Sequence, residues 1–138
     1  MFPTPQPRQR PTPPQGHAGV APPGWPRQVR PPDAPDWEVT AASWLLDLCP
    51  PDYRVYDVLR RHPVILARFA AGHIEAATAA ARRGVAGARA DLADHVPPEA
   101  IDAALAAYDR ELARLAVTAR AVEVVGQALR GRRFRAKL

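Results

Sequence analysis

From Ile101 to Leu129, apolar or small residues recur at spacings of 4, 3, 4, 3, 4, 3, 4 and 3: Ile101, Leu105, Tyr108, Leu112, Leu115, Ala119, Val122, Gly126 and Leu129. This is a stripe down one side of a helix, held without a break, and it needs a partner helix along its whole length. The ends agree with the stripe. Pro97 and Pro98 precede it, and proline suits a first helical position because no N–H bond is needed there. Glu99 and Asp102 place negative charge near the positive N-terminal end of the helix. Arg130 and Gly131 stand at the other end, where a residue of positive φ closes a helix.

The partner is found just upstream. From Pro63 to about His95 a second helix is expected, with Ile65, Phe69 and Gly72 opening its inward face. Ile74, Ala77, Ala81, Val85, Ala88 and Leu92 continue that face on a slightly rotated line. The run from Ala76 to Ala81, with Thr78 inside it, favours helix on propensity alone. Small seam residues let two backbones approach but bury little area each. The fold class that follows is all-α, a long antiparallel helical hairpin of coiled-coil type, with arms of about 50 Å at 1.5 Å per residue. A turn near Val96 and Pro97 makes facing residue numbers sum to roughly 194. That register sets Tyr108 beside Gly84 and Gly87, and Phe69 near Gly126. Glycine inside a helix costs about 1 kcal/mol relative to alanine, so Gly84 and Gly87 need a reason. Packing under Tyr108 is the expected reason, and a hinge is the alternative.

Proline divides the chain. Of 17 prolines, 12 lie in the first 35 residues. The expected organisation is a Pro/Arg-rich tail over 1–32, disordered or extended in polyproline II conformation, then a helical domain over 33–130 and a basic tail over 131–138. Charge divides the same way. Residues 1–32 hold four arginines and no acid, residues 130–138 hold five cations, and residues 33–129 hold 10 basic and 14 acidic groups, within an overall net charge of +5. A partner drawn by positive charge therefore meets the tails and not a basic face of the body. Arg8, Pro11 and Pro14 match a basic residue followed by PxxP, a spacing that SH3-type grooves bind, although a tail this rich in proline makes such matches by composition.

Two short helices are expected before the hairpin. Asp36–Leu48 puts Trp37, Thr40, Ala41, Trp44, Leu45 and Leu48 on one face, with Asp36 as cap. Pro50 and Pro51 end it. A second runs from Asp52 to Arg61, with Tyr53, Tyr56 and Leu59 facing inward and Pro63 breaking it. Caps and breaks account for most of this stretch. The functional alternative is a recognition patch of Tyr53, Arg54, Tyr56, Arg60, Arg61 and His62, since tyrosine and arginine are enriched at interface hot spots. Cys49 is the only cysteine, which excludes an internal disulfide or a thiolate metal site, and no motif activates it.

The runs Trp44-Leu45-Leu46-Asp47, Pro50-Pro51-Asp52-Tyr53-Arg54 and Val58-Leu59-Arg60-Arg61-His62-Pro63-Val64 resemble small helical proteins of high-GC bacteria that carry no assigned function. The resemblance covers residues 36–130. It implies the helical hairpin and a bacterial cytoplasm, and it transfers no active-site residue.

The histidines are the natural place for catalytic or metal chemistry. His73 and Glu75 point to different faces of a helix. His62 and His73 stand about three turns apart, too far for one ion. Asp91 and His95 are at i,i+4 and suit a surface ion pair at a helix end better than a metal site of about four ligands. There is no HExxH, Walker loop or GxSxG. No cofactor and no metal are expected, and an enzyme is not. No early apolar run looks like a secretory leader, and no unbroken apolar run approaches 18 residues, so no membrane partner is expected. The tail residues Arg132, Arg133, Phe134, Arg135 and Lys137 suit phosphate contact with one ring stacking on a base; a solvated terminus is the alternative. The leading expectation is a helical interaction or scaffold protein that binds itself or another polypeptide. Non-specific nucleic-acid binding through the tails is second.

Overall fold

The computed structural model describes residues 2–5 and 21–131. Four α-helices form it: α1 (Trp37–Leu48), α2 (Asp57–Arg61), α3 (Pro63–Leu92) and α4 (Pro98–Gly131), with a 3-10 turn at Pro51–Val55. No strand occurs among the described residues. The all-α hairpin with two short helices packed on it is thus the architecture of this chain.

α3 and α4 each begin at a proline and run antiparallel. α3 stops at Leu92, three residues short of the expected His95, and the turn is closed by His95 N–H and Val96 N–H donating to Leu92 O at 2.9 and 3.1 Å. Arg89 and Asp102 clamp the arms beside the turn at 3.1 Å. Both are about two-thirds exposed, so the pair contributes at most about 1 kcal/mol. Further along, a Cβ built on Gly84 would overlap the Tyr108 ring, so this glycine makes room for that ring. Gly87 makes no such room, because its nearest neighbour is Asp91 of its own helix. A Cβ on Gly126 would meet Ala67 at 3.7 Å, not Phe69. The pairs Gly84/Tyr108 and Ala67/Gly126 fall within about two residues of the expected register. The spacing therefore located the alignment, and on α4 the face as well, since of its nine seam residues only Ala119 is exposed.

The hairpin has two unlike halves. Toward the turn it is only two helices thick, filled by a small cluster of Ile74, Ala81 and Leu115, with Ala77, Tyr108 and Leu112 against it, and beyond that by buried Ala88 and Ile101. Toward the open end α1 and α2 add a third layer. There Trp37, Ala41 and Leu45 of α1 meet Leu59 of α2, Leu66, Ala67 and Ala70 of α3, and Val122, Val125 and Leu129 of α4. Trp37, Leu45, Leu59, Leu66 and Val125 are each under 2 % exposed. Each such side chain contributes about 1.5–3 kcal/mol by burial.

This third layer displaces the start of the α3 seam and widens the α4 seam. On α3 the buried residues at the open end are Leu66, Ala67, Ala70 and Ile74, while Ile65, Phe69 and Gly72 point to solvent. On α4, Ala119 is exposed and Ala121, Val124 and Val125 are buried, because α1 and the segment before it cover a second side. A helix held between two neighbours buries a wider stripe than a heptad seam provides.

Residues 21–36 form a strap of turns across that end. The amides of Trp25, Val29 and Ala34 donate to Pro22 O, Pro26 O and Pro31 O at 3.1, 3.3 and 2.9 Å. Gly24 takes φ +85°, the left-handed third position of its turn, and lies over Arg120 and Val124 of α4. Val29 is 3 % exposed within the main core, and the Trp25 and Trp37 rings stand 5.8 Å apart. Packed chain therefore includes Gly24, Trp25 and Val29, which precede the expected domain start at residue 33. The proposed Arg8/Pro11/Pro14 motif lies outside the described residues.

Three local expectations are also corrected. Asp36 makes no side-chain cap and instead meets Arg30 at 3.4 Å. The Asp52–Arg61 helix is split at Tyr56, whose extended φ −85°, ψ 100° separates the 3-10 turn from α2 and turns Tyr56 outward. Gly131 remains within α4, and positive φ among the described glycines is found at Gly24.

Gly84→Ala is expected to destabilise the protein by about 1 kcal/mol. Displacing the Tyr108 ring costs about 1–3 kcal/mol, against the roughly 1 kcal/mol by which alanine is the better helix former. In a Tyr108→Ala background the same change should stabilise by about 1 kcal/mol. Urea unfolding of the four proteins checks this; an unchanged sign would assign Gly84 to a hinge.

Candidate interaction surface

The prolines that break the chain between α1 and α3 also fix what the break displays. Pro50 and Pro51 stop α1 and start the 3-10 turn, whose Tyr53 amide donates to Pro50 O at 3.0 Å. Arg54 reaches back to Asp47 of α1 at 2.8 Å and pins the turn. His62 ends α2, and its carbonyl accepts the Ile65 and Leu66 amides at 2.9 and 3.1 Å, so α3 leaves at once from Pro63.

On this frame Tyr53 is the centre of an aromatic group. Its ring stands 6.1 Å from Tyr56, 5.9 Å from Phe69 and 6.4 Å from His73, tilted or edge-on to each. Such geometries are favourable by about 0.5–1.5 kcal/mol per ring pair. Tyr53 is half-buried beneath the others; Tyr56 is 52 % and Phe69 41 % exposed. Val55, Val58 and Ile65 are exposed in the same stretch.

The six residues proposed from sequence divide. Tyr53 and Tyr56 come together in this group. Arg54 and Arg61 are occupied by surface ion pairs, Arg54 with Asp47 and Arg61 with Asp57 at 2.7 Å, and so stabilise the break locally. Arg60 and His62 are exposed at its edge. Phe69, His73 and Ile65 were not among the six. The signal for two of them was present, since Ile65, Phe69 and Gly72 have seam spacing; the seam faces outward. Arg132, Arg133, Phe134, Arg135 and Lys137 lie outside the described residues.

α3 carries the surface further. An 18-residue window of this helix has a mean hydropathy of 1.2 with no more than two charged residues, and 28 % of it is buried. By length and composition it could cross a membrane, although no unbroken apolar run is that long. The first half of α3 is thus apolar nearly all round, with one side in the core and one in solvent. Ile65, Phe69, Gly72, Ala76 and Ala79 follow spacings of 4, 3, 4 and 3 down the solvent side. A Cβ added at Gly72 meets nothing within 4 Å, so no packing within the described chain requires a glycine there.

Among the described residues no three His, Cys, Asp or Glu side chains group as metal ligands. Cys49 is buried, and burial pushes its thiol above the ordinary range against a smaller opposite pull from Arg54. That favours the unreactive thiol. A groove elsewhere, between the strap and α4, is lined by Trp25, Gln28, Trp44, Leu48 and Val117, with Arg27 and Arg114 as its charges.

Comparison of the chain with protein-family models, with curated proteins and with solved structures finds no match in any of the three.

Gly72→Ala is expected to stabilise the isolated chain by about 1 kcal/mol, because it removes the glycine penalty and adds no clash. A thermal melt at low protein concentration should rise by roughly 3–5 °C. A fall would mean that Gly72 serves the monomer's own packing.

Proposed function

We propose that this chain is a non-enzymatic helical interaction protein that binds another polypeptide through the surface of Tyr53, Tyr56, Ile65 and Phe69. One observation carries this reading: Val55, Tyr56, Val58, Ile65 and Phe69 are all large, apolar and exposed between residues 55 and 69. Exposed apolar residues scattered singly are ordinary, whereas a cluster of them marks a contact surface. The platform is also stiff. Two prolines, the Arg54–Asp47 pair and the Tyr53 ring hold it, so little side-chain or backbone freedom is lost on binding. Aromatic side chains on a stiff base are the usual high-contribution groups of an interface.

The test places a photo-crosslinking amino acid at Ile65 in the full chain, inside the cell that makes it. A discrete adduct is expected, with a second copy or with another polypeptide. The same group at Val39, exposed on the outer side of α1, should give none. Equal yields at the two positions, or no adduct at either, would overturn the reading.

The exposure of Arg60, Arg68 and Arg130 at the open end favours a second reading. α4 ends at that same end, and the chain continues from it into Arg132, Arg133, Phe134, Arg135 and Lys137. These cations would neutralise nucleic-acid phosphates without reading sequence. Affinity for single-stranded or duplex DNA should then fall steeply with salt, by roughly 0.7–0.9 log units per phosphate contact per tenfold rise. A chain cut to 21–131 keeps the strap and should lose the binding; undiminished binding by it would remove the tails from this role.

A further inference from the structure

We infer that the partner of the outward α3 face is the same face of a second copy, in antiparallel register centred between Ala70 and Ala71. This rests on the interaction reading above and names its partner.

Size fixes the orientation. In this register Phe69 lies over the partner's Gly72 and Ile65 over the partner's Ala76, and two-fold symmetry makes each layer twice. A large side chain thus always meets a small one. A parallel pair would set Phe69 against Phe69 and Gly72 against Gly72, which leaves a clash beside a void. The glycine that the isolated chain does not need is where the partner's phenyl ring would seat.

Charge agrees with size. Arg68 and Glu75 are one heptad apart, both exposed, and border the seam on the same side. Neither has an ion-pair partner among the described residues. In an antiparallel helix pair, residues at that flanking position face each other across the seam. The register set by Phe69 and Gly72 brings Arg68 beside the partner's Glu75, again twice. The other edge is lined by Tyr53 against His73 and Phe69. One register therefore satisfies both the layers and the flanking charges.

The area sets the strength. From His62 to Ala79 the seam runs about 27 Å, and with its tyrosine edge it covers on the order of 400 Å² per copy, against about 800 Å² for a stable standard interface. The pair is therefore a reversible dimer with a dissociation constant in the micromolar range or above, sensitive to single substitutions.

Sedimentation equilibrium of the full chain, from about 1 µM to about 1 mM, tests this. The unmodified chain should pass from monomer to dimer. Arg68→Glu and Glu75→Arg should each weaken the dimer by about tenfold, because each sets like charges together at two places. The double variant Arg68→Glu/Glu75→Arg should restore it. Both positions are exposed, and circular dichroism confirms that each variant folds. Gly72→Ala should weaken the dimer although it raises the melting temperature of the dilute chain; a merely structural role would not separate the two. A chain that stays monomeric at the highest concentration overturns the proposal. So does a dimer indifferent to both single swaps, or one the double swap does not restore. An Ile65 adduct with a different polypeptide, from a chain that is monomeric, removes the second copy and leaves the interaction reading standing. No adduct at all removes both. A monomer that instead partitions onto phosphatidylglycerol vesicles through Phe69 assigns the face to a lipid surface and likewise overturns the dimer.

Discussion

Two alanine-rich helices cannot bury enough to hold each other, and the structure depends on what is wedged into one end of them. Trp37 and Leu45 of α1, with Leu59 of α2, close over Leu66, Ala70, Val122 and Val125 at the open end of the hairpin. Val29 of the strap seals the same core, and Trp25 holds the strap by donating its indole N–H to Val29 O at 2.9 Å. Beyond this layer the arms continue toward the turn on Ile74, Ala81, Leu115, the Tyr108 ring over Gly84, and then Ala88 and Ile101. A thin two-helix arm and a three-layered base follow from one fact: α1 is 12 residues long and α3 is 30.

That inequality also determines what is exposed. Where α1, α2 and α4 crowd α3, its inward stripe becomes Leu66, Ala67, Ala70 and Ile74. The helix has only so many faces, and Ile65, Phe69 and Gly72 are left on the far one. Their exposure is therefore a by-product of how the base is built, and it gives the molecule an apolar surface on α3. Next to it the Pro50-Pro51 break delivers Tyr53 and Tyr56, held by the Arg54–Asp47 pair. Base and surface are thus two sides of the same helix, so a change that weakens α1 packing will also disturb what α3 presents.

The functional conclusion draws on this arrangement and not on any reactive group. Buried Cys49 favours its neutral thiol. The arginines nearest the aromatic group are occupied in ion pairs, or, like Arg60, stand at its edge in solvent. The surface offers shape and apolar area, which are the materials of association between polypeptides.

The sequence alone determined the elements. The seam from Ile101 to Leu129, the proline starts and the small residues of the first arm specified two long helices, their antiparallel pairing and the Tyr108–Gly84 contact. These are properties of local propensity and period, which a chain carries residue by residue. For Tyr53 and Tyr56 the sequence left two readings open, an inward face shared with Leu59 and an exposed patch, and Tyr56 is exposed while Tyr53 is half-buried. What only the tertiary structure decided was which face of α3 is inside at the open end, and how far the buried stripe of α4 widens there. Ile65, Phe69 and Gly72 have a seam's spacing as good as that of the residues that were buried. Periodicity states that a stripe exists and is silent on what covers it. Burial depended on the number and position of neighbours, and those came from Trp37, Leu59 and Val29, distant in sequence and joined to α3 only when the chain closed on itself.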